Sequence, residues 1–395
     1  MRSRGDSLRA LHLTPHFPPV LSGIADYAGW LTAELAALGF EMRVLTSPRS
    51  AQFEQPGVEV SATVESWGST LSDTVAREVE RFRPDVLHIH YQQLMYGGDR
   101  AIGFLPWARG VRRRPAIVTT LHDMTPPARP PRLAGRFAFE ALMYGSDRLL
   151  VGGEAEQRGV SKRPGLRART ALLPIGSNIP VTPITEAERA GLRATVASDA
   201  KSFLIVYFGL IRPGKGVEVL LDSLAVLHET QPRIELLIIG DVGDDDGDGR
   251  VAYRDQLLDQ RRRLGLEERV RFLGRLPETR VSEVLQSSDL AVLPFLGGAA
   301  TNHTSVFAAL SHGLPLVTTR GEATPAAFTD GVMALVPAPP NTAGLAEVIQ
   351  SLLHDPAKRQ AMGAKARELA DRHSRKAIAA RVAAIYSGLA KTSRA

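Results

Sequence analysis

Phe203-Leu-Ile-Val-Tyr-Phe-Gly209-Leu-Ile-Arg212-Pro-Gly-Lys215-Gly216-Val-Glu-Val-Leu-Leu221 reads as a strand, a basic loop and a helix in direct succession. The apolar run rich in β-branched and aromatic residues is the pattern of a buried strand. It breaks at Gly209. Arg212, Pro213, Gly214 and Lys215 form a short loop, and Val217, Leu220, Leu221 and Leu224 then recur at helical spacing. This arrangement predicts an anion site. Backbone N–H groups and the positive helix end attract a phosphate, and Lys215 adds a mobile charge. The loop matches neither GxGxxG nor GxxxxGK followed by Ser or Thr, so the usual dinucleotide and P-loop readings fail.

The rest of the chain repeats the strand–helix alternation. In the first half, strands are expected at 8–13, 41–46, 86–89, 116–121, 149–151 and 171–173, with an amphipathic helix over 24–38 closed by Gly39. In the second half they are expected at 203–208, 234–239, 270–273, 290–293 and 316–318. Such alternation implies right-handed βαβ units and parallel sheets. The fold class is therefore α/β, with two doubly wound domains, and ligands are expected outside the carboxyl ends of the strands. The 395 residues, 44% of them apolar, suffice for two cores. The segment 180–200 lacks a strand signal and reads as the linker. The expected domains are 1–185, 186–374 and a returning helix over 375–395.

Composition bounds the function. The net charge of +6 is mild; it permits an anionic substrate or a membrane surface without demanding nucleic acid. Cysteine is absent, which excludes disulfides and thiolate metal sites. Residues 1–9 are polar, and no signal peptide or apolar run of spanning length follows. A cytoplasmic protein is the expectation.

Several other segments carry chemistry. Ser22 and Gly23 open the first long helix, where Gly23 allows a close backbone approach. His88 and His90 share one face of a strand, and His122 with Asp123 follows another strand at the end where catalytic groups collect. No third ligand at metal spacing accompanies the histidines, so no zinc site is expected. Asp244, Asp246 and Asp248 with Asp255 have the spacing of a calcium loop, but a strand precedes them and Asp replaces the final Glu. A solvated acidic loop is the better reading. Arg109, Arg112, Arg113, Arg114, Arg129, Arg132 and Arg136 are interleaved with Phe104, Trp107, Phe137 and Phe139, a mixture suited to an anionic membrane or a lipid-linked acceptor. Finally, Gly297-Gly298-Ala-Ala-Thr301-Asn302-His303-Thr304-Ser305 leads into a small-residue helix ending at Gly313, a second helix N-terminus able to hold an anion.

Taken in order, these blocks resemble the retaining GT-B glycosyltransferases of family 4, over nearly the whole length. The matching blocks are Ser22-Gly23, Leu173 to Pro180, Phe208 to Gly216, Phe272-Leu273-Gly274-Arg275-Leu276, Ser288 to Pro294 and Gly313-Leu-Pro315-Leu-Val317. The resemblance implies two Rossmann-like domains facing across a cleft, with a nucleotide diphosphate sugar bound by the second and a hydroxyl acceptor by the first. By that resemblance Lys215 and Arg212 bind the diphosphate; Arg212 stands two residues after Leu210, the family's usual arginine position. Gly209, Gly216, Gly274, Arg275, Asn302, His303, Thr304 and Ser305 line the donor, along with Ser22 and Gly23. His122 faces the donor sugar and, with Asp123, is the catalytic candidate; His90 lies on the acceptor side. No metal or other cofactor is expected. The implied reaction transfers a hexosyl unit to a glycan, lipid-linked or small-molecule hydroxyl with retention. One departure is marked. The family's paired glutamates fall on Ala300 and Ala308, and a third acidic position on Ala326. Losing a bidentate carboxylate contact costs about 1.5–3 kcal/mol. Asn302, His303, Thr304, Ser305 and Glu322 are the candidates to compensate. A catalytically silent sugar-nucleotide-binding protein and a nucleotide-sugar epimerase remain the alternatives.

Overall fold

Alternation along the strands fixes the architecture. The computed structural model describes residues 7–20, 22–97, 99–108, 114–122, 133–199, 201–241, 250–322 and 324–394. Contacts divide the chain into a first unit, Met1–Ile175 with Arg375–Ala395, and a second, Gly176–Ser374. The first division falls earlier than the sequence boundary at 185. Ile179 is buried in the second unit's core, and the Thr182 N–H donates to Ser282 Oγ at 3.0 Å, so this stretch belongs with the second unit.

The first unit holds β1 (Arg9–Leu13), β2 (Glu41–Leu45), β3 (Val58–Ser61), β4 (Val86–Tyr91), β5 (Ala116–Leu121), β6 (Arg148–Val151) and β7 (Thr170–Leu172). They form one parallel sheet in the order β3-β2-β1-β4-β5-β6-β7. The order reverses between β1 and β4, the place where connections leave to opposite faces and open a crevice. Leu11, Leu13, Leu87, Ile89 and Leu121 pack on one face. On the other, Ala10, Val86 and Val118 meet Tyr27 and Leu31 of the Gly23–Ala37 helix and Ile378, Val382 and Tyr386 of the Arg375–Arg394 helix. That second face also carries His12, His88, His90 and Thr120, by the period-two rule.

The second unit holds β8 (Phe203–Phe208), β9 (Ile234–Ile239), β10 (Val270–Gly274), β11 (Leu290–Leu293), β12 (Leu316–Arg320) and β13 (Ala334–Pro337). They too are parallel, in the order β10-β9-β8-β11-β12-β13. Here the order reverses between β8 and β11. Asp289 pins that pair: its Oδ2 accepts from the Leu204 N–H and from Arg193 Nη2, both at 2.8 Å.

Two strands were not foreseen in the sequence, β3 and β13. Each is four residues long and lies at a sheet edge. An edge strand buries less and so carries a weaker apolar signal. β4 also runs two residues beyond the expected end, because His90 and Tyr91 pair with Thr120 and Leu121 of β5. Among the described residues no helix is long and apolar enough to cross a membrane.

Ile378 of the closing helix is fully buried. Ile378→Ala is expected to cost about 2–5 kcal/mol, read as a lower urea midpoint. An unchanged midpoint would mean the closing helix contributes nothing to the first unit's core.

Candidate active site

In the second unit, three adjacent strands end in glycine. Gly209 (φ +148°), Gly240 (φ +142°) and Gly274 (φ +65°) close β8, β9 and β10 with backbone angles that side chains rarely adopt. Their backbones are laced together, the Gly209 N–H donating to Ile239 O at 3.0 Å and the Gly240 N–H to Gly274 O at 2.9 Å. A β-carbon on Gly240 would lie 1.9 Å from Gly209 O, so this end of the sheet admits no side chain there.

The basic loop follows β8. The Lys215 N–H closes a turn on Arg212 O at 3.2 Å, and the Leu296 N–H donates to Gly214 O at 3.0 Å. That second bond fastens the loop after β8 to the loop after β11, across the switch point. Gly216 (φ +72°) caps the Val217–Thr230 helix without a side-chain cap, and a β-carbon there would strike Pro294 O at 2.0 Å. The helix thus presents its first N–H groups and the positive end of its dipole. Lys215 Nζ stands 4.7 Å from the Phe295 ring centre, and the His303 ring packs on Phe295 at 4.1 Å. Burial first, and the Arg212 guanidinium second, push the Lys215 ammonium down to about 8. Burial, then the charges of Lys215 and Arg212, hold His303 neutral, at about 3. Among the described residues neither Arg212 nor Lys215 has a carboxylate partner, so the cluster is a pair of cations beside a neutral imidazole.

The Thr304–Ser311 helix begins beside this loop. Its N-cap residue, His303, makes no side-chain cap bond, although its Nδ1 accepts from the Ala300 N–H at 3.3 Å. Ser305 is buried, and a β-carbon on Gly209 would lie 3.7 Å from its Oγ. Gly209, Arg212, Lys215, Gly216, His303, Thr304 and Ser305 therefore gather at one end of one sheet, with Asn302 in the same turn. Gly274 joins through Gly240, and the exposed Arg275 follows it. Ala308 is fully buried in the core. Leu210 is 52% exposed, which leaves Arg212 as the arginine of this loop. Phe295 and Gly240 were missed from sequence; the signal for Gly240 was the recurrence of glycine after successive apolar strands.

The first unit places its histidines differently from the expectation. His90 is 0% exposed, and both ring nitrogens are engaged, Nε2 with His12 Nδ1 at 3.0 Å and Nδ1 with His122 Nε2 at 3.1 Å. It cannot touch an acceptor; its position inside β4, rather than at the tip, is the reason. The sequence reading found no third ligand at metal spacing, but the fold supplies one in His12 of β1, in register with His88. Nitrogens of His12, His88 and His90 lie within 4.8 Å of one another. His122 is half-buried just past β5, its ring 5.2 Å from Tyr27. Burial pushes it down to about 3, so it is a neutral imidazole. Ser22 caps the Gly23–Ala37 helix by accepting the Ala25 N–H at 3.1 Å, and Gly23 begins it. Asp123, the acidic loop with Asp244, Asp246 and Asp248, and Arg109, Arg112, Arg113, Arg129 and Arg132 lie outside the described residues.

Comparison with known proteins agrees with this geometry. The family described as "Glycosyl transferases group 1" matches residues 189–369, and "Glycosyl transferase 4-like domain" matches residues 22–176. A D-inositol 3-phosphate glycosyltransferase of Kineococcus radiotolerans is 26% identical over 91% of this chain and 89% of its own length. A glycogen synthase of Mycobacterium tuberculosis is 31% identical over 42% of this chain and 37% of its own. Among solved structures, Anabaena HepE in complex with UDP-glucose superposes with a TM-score of 0.74 at 19% identity, covering 96% of this chain and 100% of that one. The chain belongs to the group 1 glycosyltransferases and is a glycosyltransferase of the GT-B fold.

Proposed function

We propose that this glycosyltransferase moves a hexosyl unit from a nucleoside diphosphate sugar to a hydroxyl acceptor, with retention of configuration. The observation that carries the reading is Lys215, desolvated at a helix N-terminus beside the exposed Arg212, with no carboxylate partner for either among the described residues. A diphosphate supplies the missing anion. Its oxygens accept from the first N–H groups of the Val217–Thr230 helix and from Lys215, and the same groups take up negative charge as the bond from the anomeric carbon to the diphosphate breaks. Positive groups already present neutralise the leaving group, so we assign no metal to this step. The likeness to a protein solved with UDP-glucose supports uridine as the base to try first.

His122 is the group we assign to the reacting sugar; as a neutral imidazole it offers a hydrogen bond and no charge. Ala300 and Ala308 stand where carboxylates would grip the donor. The polar turn from Asn302 to Ser305 takes over that contact at the start of its helix. The alternative favoured by those alanines is a protein that binds the donor without turning it over. Donor consumption with and without acceptor separates the two. Consumption with a new glycoside supports transfer, tight binding with none supports the silent reading, and conversion of the free donor to its epimer would support epimerisation.

A peripheral membrane contact belongs to the same proposal. Phe104, Trp107 and Phe137 are 42%, 57% and 68% exposed, and the first and last of these rings are 5.9 Å apart. The exposed Arg136 adjoins them. Such a patch suits an anionic bilayer carrying the acceptor. Phosphatidylglycerol vesicles are expected to pull the protein down and phosphatidylcholine vesicles are not, with Phe137→Ser weakening the binding. Equal recovery with both lipids would remove the membrane from the account.

Lys215→Ala is expected to weaken UDP binding about tenfold to a hundredfold, by loss of a charge-assisted hydrogen bond. Unchanged affinity by calorimetry would refute the phosphate assignment. Affinity also depends on pH. Free Lys215 titrates near 8, and the bound anion favours its charged form. Binding is therefore full at lower pH and falls as pH rises through 8, by up to about tenfold per unit. Lys215→Arg, always charged, should flatten that slope.

A further inference from the structure

One buried run of hydrogen bonds crosses the first unit. Thr120 Oγ1 meets His88 Nε2 at 2.7 Å, and His88 Nδ1 meets the Tyr386 hydroxyl at 2.5 Å. That hydroxyl meets His12 Nε2 at 2.9 Å, and His12 Nδ1 meets His90 Nε2 at 3.0 Å. His90 Nδ1 then meets His122 Nε2 at 3.1 Å. Strand register builds the run. His12 sits opposite His88, and His90 opposite Thr120, on one face of adjacent strands. Tyr386 comes from the closing helix packed on that face.

We propose that these six groups form one directional chain that holds His122 with its proton on Nδ1, so that this nitrogen, unengaged among the described residues, is a hydrogen-bond donor. The direction follows from Thr120. Its hydroxyl is buried, and among the described residues its hydrogen-bond partner is His88 Nε2. A buried hydroxyl proton needs an acceptor, so it goes to that nitrogen. A neutral imidazole has one N–H and one acceptor, and a phenol has one proton; each link therefore sets the next. His88 donates from Nδ1 to Tyr386, Tyr386 donates to His12 Nε2, His12 donates from Nδ1 to His90, and His90 donates from Nδ1 to His122 Nε2. Burial keeps His12, His88 and His90 far below the usual histidine range, which holds every ring neutral.

A metal bound by His12, His88 and His90 is the competing use of the cluster. The rings disfavour it: those of His88 and His90 stack 4.5 Å apart at 18°, and a single ion cannot lie in both planes. Tyr386, His12, His88 and Thr120 are thus positioning residues. The functional consequence rests on the reading of His122 given under Proposed function: the ligand atom against it must be an acceptor, such as a sugar oxygen, and His122 does not serve as a base.

The test is long-range proton–nitrogen NMR of the full chain labelled at histidine, which reads the tautomer of each ring. The expected wild-type result is Nδ1–H at His12, His88, His90 and His122. Tyr386→Phe cuts the chain, and His122 is then expected to show both tautomers and turnover to fall about tenfold, the worth of one hydrogen bond. Thr120→Val removes the group that sets direction and is expected to mix the tautomers as well. Nε2–H at these rings in the wild type, an unmoved His122 in both variants, or one equivalent of zinc retained by the purified protein would each overturn the proposal. The tautomer result stands apart from transfer activity. Mixed tautomers with unchanged turnover would uphold the chain and refute the catalytic role of His122.

Discussion

Lys215, partly out of water beside the exposed Arg212, with no ion-pair partner for either among the described residues, is the constraint on which the second unit is arranged. Burying Lys215, and then placing it beside Arg212, is unfavourable in itself, and the depressed Lys215 ammonium expresses both costs in that order. The backbone accepts this at the switch point, where the loops after β8 and β11 leave to opposite faces. Gly216 passes Pro294 too closely for any side chain, and Gly214 binds Leu296. Glycines at the ends of β8, β9 and β10 keep the floor bare. A fold that only needed stability would fill such a place with apolar side chains; this one leaves it open and positively charged.

The first unit solves a different problem. Several histidines buried beneath two helices would be costly if charged, and burial keeps them neutral. Neutral imidazoles are both donor and acceptor, so they satisfy one another in series. The series ends at His122, the one member that is not fully buried. Burying Tyr386 ties that series to the C-terminal helix, which gives the return of the chain to its first unit a chemical as well as a packing role.

Much of this was legible in the sequence, for identifiable reasons. The buried parallel strands were long apolar runs, and the phosphate loop was local, so Gly209, Arg212, Lys215 and Gly216 could be read together. The edge strands β3 and β13 were too short and too mixed. His90 was misplaced because a polar residue ended the apparent run of β4, although the strand continues beneath it. His12 stood in plain sight between Leu11 and Leu13, but only the β1–β4 pairing brings it to His88. Tyr386 had no local signal at all, being 298 residues from the histidine it meets. The paired glutamates missing at Ala300 and Ala308 were equally plain, and the fold keeps the polar turn between those positions at the same sheet end.

The most direct test of the account is a crystal structure of the protein grown with UDP-glucose. The account predicts the diphosphate against the 214–217 backbone, with Lys215 Nζ within hydrogen-bond distance of a phosphate oxygen. A nucleotide bound elsewhere, with Lys215 and Arg212 remaining out of contact, would contradict it.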